Sequence, residues 1–300
     1  MKVSLRLLLL LCIVAPVSGI AQLSINFDFS YDTSGFFSGT DGAIRKGDLN
    51  AAAAVFENRM TQESFSAITP GGDNGWNLYF TDPSDSGSNV TISNPALPAN
   101  TITIYVGARN LGGALGVAGF GFDCSGYQPW VDMFNNRNSS TNFDPFGGAI
   151  SFDLSSPWYF DPNPSTLESF PGQYDFYSVA VHEIGHILGF SKGTSAFAAL
   201  TSGTNFVGKA AEALYGGPIP LSPDLSHWAQ GVTSGGYEVS MDPAISNNLR
   251  KSFTALDFAA LQDIGYFVDA IPEPSEGVLA LTGIVVIGVS LRQRRRPEKS

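Results

Sequence analysis

His182-Glu183-Ile184-Gly185-His186-Ile187-Leu188-Gly189-Phe190 is the stretch that decides how this chain is read. Histidines four apart on a helix leave from one face, a turn apart, so both imidazoles can reach one ion. The glutamate beside the first histidine then stands where it can take a proton from a water on that ion. Phe176, Val179, Ala180, Ile184 and Ile187 recur at helical spacing and predict a helix over about 176–188 with one side buried. Gly189, one turn past His186, is where the chain leaves that helix sharply.

A catalytic Zn²⁺ takes three protein ligands and keeps one position open. The sequence holds three histidines in all, and His227, in Pro223-Asp224-Leu225-Ser226-His227-Trp228, is the natural completion. The long loop back from Gly189 is no obstacle, because closure entropy grows only with the logarithm of loop length. Glu212 and Asp224 stay open as alternative carboxylate ligands, Asp224 also as a partner behind a ligand. Lys192 is rejected, since an ammonium has no lone pair to give. The expected chemistry is Zn²⁺ on His182, His186 and His227, with Glu183 as general base for a water attacking a peptide carbonyl.

Around this motif the sequence is turn-rich. Charged residues make up 14% of the chain against 43% hydrophobic, with 33 glycines and 18 prolines, a pattern of many short strands and few long helices. A net charge of −11 argues against nucleic acid or an anionic membrane as the main partner. Ile25 to Tyr31, Trp76 to Phe80, Thr101 to Val106 and Ala149 to Phe152 predict strands, and Val117 to Phe122 an irregular edge strand. Leu49 to Met60, Lys209 to Leu214 and a segment opened by the capping box Thr254-Ala255-Leu256-Asp257 and closed at Gly265 predict helices. Asn135 to Thr141 and Pro157 to Gly172 predict loops. The turns at 82–87 match no EF-hand loop, and Cys124 reads as a small buried residue. The fold class expected is α+β: a mixed twisted sheet above a cleft, the motif helix as its floor, and a smaller loop-rich half after residue 190.

Both ends read as addresses. Residues 1–21 have the charged, apolar and small-residue regions of a secretory signal peptide. Residues 272–300 hold Pro272-Glu273-Pro274, an uncharged apolar run from Gly277 to Leu291, and Arg292-Gln293-Arg294-Arg295-Arg296. As a helix that run spans about 22 Å, short of the roughly 30 Å hydrocarbon core, and the arginines predict a cytoplasmic end. The domain expected between them is 22–271, upper part 22–190 and lower part 191–271.

The segment His182 to Phe190 resembles the metzincin zinc-peptidase signature, and most closely its leishmanolysin-type members, where an insertion separates the glycine from the third histidine. Ser226-His227-Trp228, then Ser240-Met241-Asp242-Pro243, then Leu256 to Tyr266 follow in that family's order. The resemblance implies zinc as cofactor, a protein or peptide substrate paired to an edge strand near Val117 to Phe122, and Met241 as a Met-turn beneath the metal. The tail resembles the PEP-CTERM sorting signal, which implies an exosortase-type processing enzyme as partner. That implies export, transient anchoring in the inner membrane, then the cell surface or matrix of a Gram-negative bacterium. A non-catalytic surface or matrix protein retaining a peptidase fold, and a zinc hydrolase acting on a non-peptide bond, are the alternatives.

Overall fold

The computed structural model describes residues 22–61, 65–161 and 163–269. The predicted signal peptide and sorting tail lie outside the described residues. The described residues up to Val268 form one compact unit. No helix among the described residues is long and apolar enough to cross a membrane.

The order is β1 (Ser24–Asp28), α1 (Gly39–Glu57), β2 (Gly75–Thr81), β3 (Asn89–Ser93), β4 (Thr101–Arg109), β5 (Gly116–Gly119), β6 (Gly121–Ser125), α2 (Gln128–Arg137), β7 (Gly148–Asp153), α3 (Phe176–Ile187), α4 (Ser195–Ala199), α5 (Lys209–Tyr215) and α6 (Ala255–Asp263), with two-residue strand pairs between them. The main sheet runs β1-β4-β7-β5. β1, β4 and β7 are parallel, and β5 lies antiparallel on the edge. The sheet is mixed and the fold is α+β, as the sequence implied. β7 is buried at every position, as a strand covered on both faces must be. β4 turns Ile102, Ile104, Val106 and Ala108 inward by the two-residue period of a strand.

A second sheet, β3-β2-β6, is wholly antiparallel. An aromatic cluster fastens it to α2 and the loop before β7: Phe122 stacks on Phe146 at 4.1 Å, and Trp76 meets Phe134 at 5.5 Å. α1 buries Leu49, Ala52, Ala53 and Phe56 on one face, the spacing of an amphipathic helix. It begins ten residues earlier than expected, because its first turns, rich in Gly, Thr and Asp, carry no apolar periodicity.

Three readings need correction. The single edge strand expected at Val117 to Phe122 is two strands, β5 and β6, which part at Phe120 and join different sheets. Glycine recurs throughout residues 107–121, so Gly119 and Gly121 on either side of Phe120 do not single out the break. α2 occupies residues where no helix was expected and takes Asn135 to Arg137 from the predicted loop; its local signals are Pro129 in the first turn and Trp130, Val131 and Phe134 at helical spacing. β3, exposed on alternate residues, was also missed. The predicted helices at 176–188, 209–214 and after Thr254 are present as α3, α5 and α6, and the capping box at Thr254 and Asp257 is formed on both sides.

Candidate metal centre

α3 is fixed at its start before it carries any chemistry. Asp175 caps it, accepting from the Ser178 N–H at 3.2 Å. Arg250 donates to both oxygens of Asp175 at 2.7 and 2.9 Å and to Asp161 at 2.7 Å, so the cap is clamped by a buried ion cluster. At the other end Gly189 takes φ +97°, a conformation glycine reaches without strain, and the chain turns away.

Between these ends His182 and His186 face the cleft, and His227 comes to meet them. The three Nε2 atoms stand 3.0, 3.1 and 3.2 Å apart. Each Nδ1 faces an oxygen at 2.7 Å: the Ser240 carbonyl for His182, the Phe190 carbonyl for His186 and the Asp224 carboxylate for His227. Those acceptors hold the ring proton on Nδ1, which leaves a lone pair on each Nε2. Three lone pairs crowded together with no proton between them do not form a hydrogen-bond network; they are a donor set for a cation. Tetrahedral Zn²⁺ with Zn–N about 2.0–2.1 Å puts its nitrogens about 3.3 Å apart, close to this triangle. Burial holds His182 well below the usual histidine range, with the neighbouring imidazoles adding to it. Burial, then His227, lowers His186 to about 4. Both are therefore neutral, the form that binds metal. This trio is the group of side chains among the described residues placed to hold a metal.

Glu183 is buried on the same helix, and burial pushes its carboxyl up to about 8, opposed by the Ala118 N–H. β5 presses against it: a Cβ on Gly116 would come within 2.5 Å of Glu183 Oε1. A cleft of about 870 Å³ opens over the trio, lined by residues 113–120, by Ser240 and by Asp242 to Ile245. β5 lines it with an edge that no other strand among the described residues covers.

Residues 134–207 match the Matrixin family model. The chain is a zinc metallopeptidase with a metzincin-like fold. No curated protein and no solved structure matches it. The matched span includes His182, Glu183 and His186 and ends before His227, the histidine the sequence offered as completion, whose Nε2 the structure brings within 3.2 Å of the other two.

In the peptidase, Lys192 and Glu212 are not among the converging groups, and Asp224 approaches the trio only through His227. Met241 is fully buried and runs under α3 at Gly185, where a Cβ would lie 2.6 Å from its Sδ. Gly185 thus lets a methionine lie between the two histidine turns. Cys124 sits on β6 in the other sheet.

One residue that organises the site was read in the sequence only as a helix cap. Asp257 is completely buried and accepts from Trp228 Nε1 at 2.9 Å, Ser240 N–H at 3.0 Å, Met241 N–H at 3.2 Å and Thr254 N–H at 2.7 Å. Trp228 adjoins His227, and the Ser240 carbonyl orients His182, so one carboxylate ties the supports of two imidazoles together. Its capping-box position is a sequence signal for a helix start and carries no sign of these distant partners.

Proposed function

We propose that this metallopeptidase is a secreted endopeptidase in which His182, His186 and His227 hold Zn²⁺ and Glu183 is the general base. The observation that carries the reading is the convergence of three Nε2 lone pairs, each with its Nδ1 held by an oxygen. Zinc held by the three imidazoles would supply Lewis acidity for the scissile carbonyl and for the attacking water, and its charge would favour the ionised form of Glu183. Glu183 accepts the proton of the attacking water and returns it to the leaving amine. The buried walls around it keep its carboxylate within reach of that proton and out of bulk solvent. An extended substrate pairs with the free edge of β5, main chain to main chain, beside Glu183.

The closer relationship we propose is to leishmanolysin-type peptidases. In its support, some forty residues separate the helix-ending Gly189 from His227, and Met241 lies under the helix. We further propose that residues 1–21 direct export and 272–300 act as a PEP-CTERM tail read by an exosortase-type enzyme. The mature peptidase, 22–271, would then pass through an inner-membrane-anchored stage to the cell surface or matrix of a Gram-negative bacterium. The order of Pro-Glu-Pro, short apolar run and arginine cluster supports this.

Glu183→Gln tests the mechanism. The variant is expected to bind zinc like the parent and to lose hydrolysis of a generic protein substrate, parent activity being abolished by a chelator. Undiminished turnover in the variant removes Glu183 from the mechanism. A parent protein that binds zinc and cleaves no protein is instead the non-catalytic surface protein.

A further inference from the structure

We infer that Asp224 is the positioning residue of the third ligand, holding the His227 ring in the tautomer and orientation that bind zinc. The inference rests on the zinc reading above. His182 and His186 stand on α3 and turn Nδ1 toward main-chain carbonyls. His227 stands on neither helix nor strand. Its loop is closed by the Ser222 N–H donating to the His227 carbonyl at 2.9 Å. It turns through Leu225 at φ +59°, a left-handed conformation that a leucine adopts only against strain.

The two oxygens of Asp224 divide the work. Oδ1 accepts from the Ser222 hydroxyl at 2.6 Å and the Ser226 N–H at 2.9 Å, and so shapes the loop. Oδ2 faces His227 Nδ1 at 2.7 Å, and so fixes the ring. Nδ1 and Nε2 lie on opposite edges of an imidazole, so this carboxylate cannot be a ligand itself; it acts through the ring. A carboxylate on Nδ1–H keeps the lone pair on Nε2 and makes it a stronger donor. Of the three rings, His227 is the one with an ionic partner behind it, and it is also the one without a regular element beneath it.

The test is zinc affinity and release rate by chelator competition on the full chain, with the absorption bands of the Co²⁺-substituted protein as a report on the ligand field. Asp224→Ala is expected to weaken zinc binding about 10–100-fold, speed its release and shift the Co²⁺ bands. Asp224→Asn keeps a single oxygen and is expected to fall between. Ser222→Ala removes a loop bond from Oδ1 and spares the Oδ2 contact. It is expected to keep parent-like zinc affinity and Co²⁺ bands even if the loop loosens. Zinc binding in Asp224→Ala equal to the parent's overturns the inference alone, as does an equal loss in Ser222→Ala. A parent that binds no zinc overturns the zinc reading and this inference with it.

Discussion

The two histidines on α3 and the histidine on the 222–228 loop reach the same point by opposite means. On the helix, position follows from backbone geometry: a four-residue spacing fixes two rings, and a clamped cap and a closing glycine fix the helix. On the loop nothing is given by periodicity. His227 is placed by side chains far from it in sequence, Asp257 through Trp228, and by Asp224 close at hand. A ligand on a regular element is inherited from local structure, whereas a ligand on a loop needs hydrogen-bonded supports of its own.

The difference can be put to experiment, beginning with the ligands. His186→Ala is expected to abolish zinc binding and hydrolysis. His227→Ala should weaken zinc by more than about 100-fold, beyond the effect of losing a supporting partner, and leave the metal-free fold intact. Metal analysis after dialysis reads both, and parent-like zinc in His227→Ala would remove His227 from the ligand set.

A second variant presses on the helix side. Gly116→Ala pushes a methyl into Glu183, 2.5 Å from Oε1. Displacing a catalytic group by about 1 Å costs about 100-fold in rate, so hydrolysis should fall by that order while zinc content stays unchanged. Unchanged kcat/KM would show that β5 does not hold the Glu183 carboxylate in place.

The loop side is tested by Asp257→Ala. It strips a charged acceptor from Trp228, Ser240, Met241 and Thr254 at once. Bonds to a charged group are worth roughly 1.5–3 kcal/mol each, so urea unfolding of the metal-free protein should show a loss of about 3 kcal/mol or more. A loss under about 1 kcal/mol would mean the loop is supported elsewhere.

A pH-dependent effect lies behind the helix cap. Burial pushes Asp48 from 3.8 up to about 7, helped by the nearby Asp161 and Asp175 carboxylates. Between those two values the folded protein keeps a proton there that the unfolded chain has released. Stability therefore falls as pH rises through that window, by at most about 1.4 kcal/mol per pH unit. Asp48→Asn has no such proton to lose, so its stability relative to the parent should grow from pH 4 to pH 7. Parallel pH profiles for the two would show that Asp48 is ionised throughout.

The reach of the sequence follows the same division. His182, Glu183 and His186 were legible because ligand spacing and helix period coincide over a single turn. The capping box at Thr254 and the helix over 209–214 were legible for equally local reasons. The boundary between β5 and β6 was not, because it depends on which sheet each half joins, and β3 and α2 are short segments set among turn residues, where the brief apolar periods of Val90 and Ile92 and of Trp130 and Phe134 do not stand out. Gly116 and Gly185 gave no warning in sequence, since a glycine chosen for close approach looks like any other until its neighbour is known.

By itself the sequence determined the chemistry: two imidazoles and a carboxylate on one helix, and one further histidine to complete the set. Tertiary structure alone decided that His227 arrives with its Nε2 turned inward, that Met241 runs under Gly185, and that Asp257 binds the supports together. Helix geometry is set by neighbours along the chain, so sequence spacing encodes it. A loop ligand is set by hydrogen bonds and packing across the fold, and those partners become neighbours only when the chain has closed on itself.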